Sequence, residues 1–135
     1  MIVYYGYEKG EDCSYIEVVD KEQDLIIVSE PLSLQESVET IPLLLIQPKK
    51  TTILFEDYGF FSDNQNCYLY LDMICAFSIT RGNEHQISMF LLQVEEELIA
   101  IHEEKSTIFL LGRHHEPLIK KWASSYLVEI DFLIS

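Results

Sequence analysis

The first third of the chain consists of short apolar runs separated by charged turns. Residues 1–7 and 25–29 are rich in β-branched and aromatic side chains, and residues 13–19 alternate apolar with polar positions. Runs of this length and composition predict β-strands, with the charged residues 8–12 and 20–24 forming the turns between them. The N-terminal third is therefore predicted to be mainly strand.

A short helix and a further strand are predicted next. Ser33 suits the N-cap of a helix, and Glu36 lies three residues further on, at the position of a capping-box partner. Pro42 limits this helix to residues 33–40, because proline removes a backbone donor and clashes with the preceding turn. Residues 51–57 are again β-branched and aromatic, which predicts a strand.

The middle of the chain is so apolar that two interpretations remain open at two places. Residues 67–80 match either a buried strand or a buried helix, because periodicity does not separate the two in a continuous apolar run. Residues 87–101 contain a helical stripe of apolar positions, yet they also match a strand over 87–94 followed by a second strand. We favour the strands, because residues 98–112 have the pattern of a hairpin with its turn at 103–106.

The C-terminal part predicts a helix followed by a strand. The helix covers residues 116–127, and Leu118, Trp122 and Leu127 are expected to share its apolar face. Residues 128–135 alternate apolar and polar positions, which predicts a strand. The side chains expected on its apolar side are Val128, Ile130, Phe132 and Ile134.

Together these elements predict an α+β fold, with a twisted, mostly antiparallel β-sheet packed against the C-terminal helix and one or two further helices. We expect a single domain over residues 1–135, since this length is enough to bury a core without a metal or a disulfide. The 48% share of hydrophobic residues is also too high for a disordered chain.

The charge of the chain narrows the kinds of partner that it binds. It contains 23 acidic and 9 basic residues, for a formal net charge of -14. Nucleic acids and anionic lipid surfaces attract proteins through Lys and Arg, so this balance disfavours direct binding to either. The expected partner is a cationic protein. A membrane is further disfavoured because no apolar run reaches the roughly 20 residues of a membrane helix.

The cysteines indicate a reducing compartment. Cys13, Cys67 and Cys75 are odd in number and have no C-x-x-C spacing, so they predict free thiols rather than a disulfide framework or a zinc knuckle. The first residues also lack the basic and apolar segments of a secretory signal. We therefore predict a cytoplasmic location.

No group of residues matches a known catalytic or cofactor-binding pattern. His114 and His115 are adjacent and His102 is nearby, but zinc sites use defined spacings such as H-E-x-x-H. Cys67 and Cys75 have apolar neighbours, which raise the pKa of a thiol and make it a poor nucleophile. The chain also lacks a glycine-rich phosphate-binding motif. We predict no catalytic, cofactor-binding or metal-binding residue, and no enzymatic activity.

Clustered carboxylates predict a binding surface instead. Residues 95–104 contain five glutamates and neither Lys nor Arg, and their mutual repulsion costs stability unless a cation offsets it. On the turns of a hairpin they would be exposed and would meet a partner together. Tyr58 directly follows two acids, and an amphipathic ring beside carboxylates suits an interface with a cationic protein. The predicted partner-binding residues are Glu95, Glu96, Glu97, Glu103, Glu104, Glu56, Asp57 and Tyr58.

In its size, acidity, cytosolic character and lack of catalytic motifs, the chain resembles the small immunity proteins that bacteria keep against toxins, such as those of contact-dependent growth inhibition systems. The resemblance implies tight binding to a basic toxin domain, commonly a nuclease, with the active site or an exosite covered. Two other functions remain open. One is a phage-type inhibitor whose carboxylates imitate DNA phosphates, and the other is an enzyme subunit with no recognisable site. DNA mimicry ranks lower, because the acids cluster at residues 8–39 and 95–104 with a large neutral stretch between them.

Overall fold

The computed structural model describes residues 2–8, 18–23, 25–30, 40–46, 58–103 and 105–134. In these ranges the chain forms ten β-strands and two α-helices. The strands are β1 (Ile2–Glu8), β2 (Asp20–Glu22), β3 (Leu25–Val28), β4 (Ile41–Ile46), β5 (Gly59–Phe61), β6 (Cys67–Tyr70), β7 (Ile74–Arg81), β8 (Leu98–Glu103), β9 (Thr107–Gly112) and β10 (Glu129–Ile134). The helices are α1 (Glu84–Val94) and α2 (Glu116–Ser125). The predicted α+β class is confirmed.

The described strands are divided between two sheets. Sheet A has the strand order β2-β3-β1-β4-β6-β5, and sheet B has the order β10-β7-β9-β8. All neighbouring strands in both sheets are antiparallel. The mostly antiparallel arrangement predicted from the sequence is confirmed, with the strands shared between two sheets.

Alternation of side chains along the strands produces three layers. Leu110 of β9 packs on one side of sheet B with Leu44 of sheet A, and both side chains are fully buried. Its neighbour Phe109 lies on the opposite side, in a cluster with Phe90 of α1 and Ile119 of α2. Sheet B is therefore sandwiched between sheet A and the two helices. Burial of each such side chain stabilises the fold by about 1.5–3 kcal/mol.

Sheet A curls until β2, at one edge, contacts the hairpin of β5 and β6 at the other edge. Asp20 of β2 is only 2% exposed. Its Oδ2 atom accepts hydrogen bonds from Ser62 Oγ at 2.5 Å, Asn66 Nδ2 at 2.9 Å and the Tyr68 hydroxyl at 3.0 Å. Its Oδ1 atom accepts one from the amide of Lys21 at 2.9 Å. The amide of Asp63 also donates to the carbonyl of Lys21 at 2.7 Å, which joins the backbone of β2 to the turn that follows β5.

These bonds keep the Asp20 carboxylate ionised. Burial by itself raises the pKa of Asp20, but the hydrogen bonds from Ser62, Asn66, the Lys21 amide and Tyr68 outweigh it, so the pKa is lowered. Burial, with a smaller contribution from Asp20, raises the pKa of Tyr68, which keeps its hydroxyl protonated as a donor. The charged carboxylate of Asp20 therefore holds β2 against the hairpin of β5 and β6.

The prediction of a strand over residues 87–94 is wrong, because these residues form most of α1. Asn83 caps the helix, and its side-chain oxygen accepts hydrogen bonds from the amides of His85 at 2.9 Å and Gln86 at 3.4 Å. Such a cap satisfies amide donors that a helix start otherwise leaves without partners. One side of the helix then reaches the core through Phe90, which is fully buried.

The remaining segments for which the sequence left a helix and a strand open are strands. Residues 67–80 form β6 and most of β7, separated by a 3₁₀ turn at Leu71–Met73. The hairpin predicted over 98–112 is confirmed, since β8 pairs with β9. The turn predicted over 20–24 is shorter than expected, because residues 20–22 pair with β3 and the backbone changes direction at Gln23, whose φ is 48°.

The C-terminal helix is confirmed, but it buries a different face from the one predicted. Ile119 and Ala123 are one helical turn apart, and both are buried against sheet B. Trp122 packs beside them and is half-buried, whereas Leu118 is exposed. Successive residues of a helix point about 100° apart, so Leu118 turns away once Ile119 faces the core. Leu127 lies beyond the end of the helix.

A Schellman motif ends α2. The amide of Val128 donates to the carbonyl of Ala123 at 2.8 Å, and the amide of Leu127 donates to Ser124 at 3.2 Å. Leu127 occupies the left-handed position of the motif, with a φ of 57°, and its side chain is 78% exposed. Glycine is the usual residue there, because a Cβ atom is strained in this conformation.

Strand β10 follows the predicted alternation as far as Phe132 and forms one edge of sheet B. Its half-buried side chains are Ile130, Phe132 and Ile134, and its exposed ones are Glu129, Asp131 and Leu133. Lys120 of α2 places its Nζ atom 5.3 Å from the centre of the Phe132 ring. Ile130 and Phe132 thus face the helices, whereas Ile134 packs on the other side of sheet B, after a shift in the strand register between Phe132 and Ile134.

Three predicted elements fall largely outside the described residues. They are the strand over 13–19 apart from Val18 and Val19, the helix over 33–40 apart from Thr40, and the strand over 51–57. Within the ranges that the structure describes, neither helix combines the length and the apolar character needed to cross a membrane.

Candidate functional site

Three of the predicted site residues form the connection between α1 and β8. Glu95, Glu96 and Glu97 make a single 3₁₀ turn, which we call the acidic turn. Glu95 and Glu96 are exposed. Glu97 is half-buried, and its Oε2 atom lies 3.0 Å from Nε2 of His115. The acidic turn therefore presents two exposed carboxylates and anchors the third to the start of α2.

The other predicted acids do not join this turn. Glu103 lies at the opposite end of β8, where it pairs with Thr107 beside the hairpin turn. The strand is six residues long, and at about 3.3 Å per residue its ends are roughly 17 Å apart. Glu104, Glu56 and Asp57 lie outside the described residues. Glu103 is exposed, but it does not share one compact patch with the acidic turn as we expected.

Tyr58 lies at the same end of sheet B as the acidic turn. A Cβ atom added to Gly112 would be 2.7 Å from the Tyr58 hydroxyl and 2.7 Å from Cε1 of His114. The ring centres of His114 and His115 are 3.9 Å apart, and His115 contacts Glu97. The histidine pair thus lies between Tyr58 and the acidic turn. A metal site at this pair was considered and rejected from the sequence, and the contact of His115 with Glu97 was not predicted.

The described residues hold no group of three or more His, Cys, Asp or Glu side chains arranged to bind a metal. Cys67 and Cys75 are buried, as predicted. Burial raises the pKa of each thiol to about 11, with a smaller contribution from Glu116 at Cys75. Both thiols are therefore protonated at neutral pH and are poor nucleophiles. Cys13 lies outside the described residues.

An apolar groove of about 420 Å³ runs between α1 and the hairpin of β8 and β9. It is lined by Ser88, Leu91 and Leu92 of α1, by Glu95 of the acidic turn, by Leu98 and Ile101 of β8, and by Phe109 of β9. Phe109 is buried, whereas Leu92 is 63% exposed. Glu95 is the charged residue of the lining. An apolar surface therefore adjoins the two exposed carboxylates of the acidic turn.

The position of the groove follows from α1, in a segment where the sequence left a helix and strands open. Phe90 and Val94 are one turn apart on α1 and both point into the core. Leu91 and Leu92 follow Phe90 by about 100° and 200° around the helix, so they turn progressively away from sheet B. The signal in the sequence was the stripe of apolar residues at helical spacing, and Leu92 is a further apolar residue outside that stripe.

The groove and the acidic turn together form a surface of mixed character. Its groups are aliphatic and aromatic side chains with carboxylates beside them, a combination that accommodates an apolar side chain next to a cation. Neither of the buried thiols lines the groove. No protein-family model, curated protein or solved structure matches the chain.

Proposed function

We propose that this protein is an immunity-type inhibitor that binds and neutralises a basic toxin domain in the cytoplasm. The observation that carries the proposal is the groove between α1 and β8, which is apolar and bordered by the carboxylates of Glu95 and Glu96. Protein interfaces commonly combine an apolar centre with a polar rim. A cationic partner fits this combination, and an anionic one would be repelled by it.

The overall charge supports the same class of partner. A formal net charge of -14 attracts a basic protein at long range and accelerates its association. A DNA mimic requires a regular row of carboxylates. The acidic turn and Glu103 lie roughly 17 Å apart along β8, and this separation does not match such a row. Buried protonated thiols at Cys67 and Cys75 are typical of a protein in a reducing compartment, which supports the cytoplasmic location.

The proposal is tested first by capturing partners from the source cells with the purified protein as bait. The expected result is one dominant basic protein, whose expression alone is toxic and whose toxicity is relieved by coexpression of this chain. A captured protein that is harmless to the cell, or the capture of no dominant basic protein, would contradict the immunity proposal.

The kinetics of the captured complex then test the surface. Glu95→Lys with Glu96→Lys should slow association by about tenfold, and association of the unmodified protein should slow as the salt concentration rises. The matched control is Glu129→Lys with Asp131→Lys, which makes the same charge change on the exposed side of β10. Stopped-flow measurements in which both pairs slow association equally would show that net charge, and not this surface, determines the rate.

A further inference from the structure

Helix α1 carries large apolar side chains that remain exposed to solvent. Met89 is 40% exposed and Leu92 is 63% exposed, although a surface helix usually turns its polar residues outward. Leu92 borders the groove, and Leu91 lies beside it in the lining. The apolar surface of the groove therefore continues onto the outer side of the helix.

The side of the groove formed by α1 has the geometry of a helix-packing stripe. Ser88, Leu91, Leu92 and Glu95 are spaced at positions i, i+3, i+4 and i+7, which fall on one side of an α-helix. At about 1.5 Å per residue this stripe is roughly 10 Å long, or about two helical turns. A second helix lying along it would present its own side chains at the same spacing.

The end of this stripe attracts positive charge for two independent reasons. The C-terminal end of a helix carries a partial negative charge from its unpaired carbonyl groups, and basic residues there are favourable. The last turn of α1 contains no basic residue, and the three carboxylates of the acidic turn follow it directly. Like charges therefore accumulate at this end in the unbound protein, and a cation from a partner would offset them.

We infer that the groove binds a basic amphipathic helix of the partner protein. One or two large apolar side chains of that helix lie against Leu91, Leu98 and Phe109, and a Lys or Arg about one turn further on meets Glu95 and Glu96. This inference deepens the proposed function and rests on it, since it specifies which part of the basic partner is recognised. It corresponds to the helix-in-groove mode of peptide recognition.

A synthetic peptide tests the groove without the natural partner. The probe is a short labelled helix of leucine and lysine with its leucines on one side, and the control peptide has the same composition with its leucines spread around the helix. Fluorescence anisotropy should show binding of the probe that is about tenfold tighter than that of the control. Equal affinity for both peptides would reduce the interaction to general charge attraction and overturn the inference.

Two matched variants locate the binding site. Ser88→Trp places a large side chain at the exposed edge of the groove, and Ser125→Trp makes the same change at the exposed last residue of α2. Only the first should weaken binding of the probe, by about tenfold or more. Circular dichroism spectra that match the unmodified protein would show that both variants fold.

The natural partner separates this inference from the proposed function. If Ser88→Trp weakens capture of the toxin by a factor similar to its effect on the probe, the groove is the anchor for the partner. If Ser88→Trp leaves capture unchanged while the Glu95→Lys with Glu96→Lys variant slows it, the inhibitor proposal stands and the helix-in-groove inference fails. Binding of the probe in the groove with no basic partner captured would leave the surface intact and refute the proposed function.

Discussion

Replacing Asp20 with asparagine removes a charge at the point where β2 meets the hairpin of β5 and β6, with almost no change in side-chain volume. The asparagine oxygen can still accept the bonds from Ser62, Asn66 and Tyr68 that Oδ2 accepts now. Its amide group must then occupy the position of Oδ1, where it faces the amide of Lys21, also a donor. The substitution therefore weakens three bonds and removes a fourth.

The size of the effect follows from these contacts. A buried donor left without a partner costs about 1–3 kcal/mol, and hydrogen bonds to a charged group contribute about 1.5–3 kcal/mol each. Because the bonds share one carboxylate, their contributions are not additive, and we expect a total loss of about 3 kcal/mol at pH 7. For a domain of this length that corresponds to a fall in Tm of roughly 10 °C.

The pH dependence distinguishes the charge from the shape of the side chain. The pKa of Asp20 is lowered in the folded protein from an ordinary value of 3.8. A lowered folded pKa stabilises the protein above the unfolded pKa, and this stabilisation is lost as the pH falls through the folded value. The difference in the free energy of unfolding between the two proteins should therefore be largest near neutral pH and shrink below about pH 4.

Urea unfolding followed by circular dichroism at several pH values between 7 and 3 measures this difference. The control is Asp63→Asn, which removes the same charge from an exposed side chain next to Ser62. The unfolding free energy of the control should stay close to that of the unmodified protein. A difference for Asp20→Asn that is the same at pH 3 as at pH 7, or a control that loses as much stability, would refute the role assigned to the ionised carboxylate.

Two further predictions concern stability and thiol chemistry. Leu127→Gly should raise the free energy of unfolding by roughly 0.5–1 kcal/mol, because it relieves a left-handed residue whose side chain is mostly exposed; a loss of stability in thermal unfolding would show that the exposed leucine contributes to the fold. Because burial raises the pKa of Cys67 and Cys75 to about 11, both thiols should react with a disulfide reagent at pH 8 far more slowly in the native than in the urea-unfolded protein, and reductant should leave Tm unchanged. Rapid labelling of all three cysteines in the native state would contradict this expectation.

The sequence predicted those elements whose signals are local. The hairpin of β8 and β9 was predictable because two apolar runs flank a short polar turn, and α2 because its limits are marked in the sequence. The face that α2 buries was not predictable, since Leu118 and Ile119 are equally apolar and only sheet B decides between them. The Asp20 network was also hidden, because it joins residues that are 42 to 48 positions apart in the chain.

The candidate site was predicted only in part, because its acidic residues are a local signal and its groove depends on contacts between elements. The acidic residues were identified from composition, but the groove beside them depends on α1, where strands were favoured over a helix. Exposed apolar residues such as Met89 and Leu92 obscured the helical pattern. Apolar residues on the outer side of a helix weaken the amphipathic pattern by which helices are recognised in a sequence. The surface that we propose to bind a partner therefore lies in the same segment as the wrong strand prediction.

The closure of sheet A at Asp20 has a consequence for how this strand-rich chain avoids self-association. Unpaired backbone groups at the edge of a sheet invite pairing with another molecule and can seed aggregates. In the described part of sheet A the two outermost strands are only three residues long, and the bond from the Asp63 amide to the Lys21 carbonyl occupies edge groups within the molecule. The ionised Asp20, which holds β2 against the hairpin of β5 and β6, therefore also disfavours edge-to-edge association of the protein with other copies.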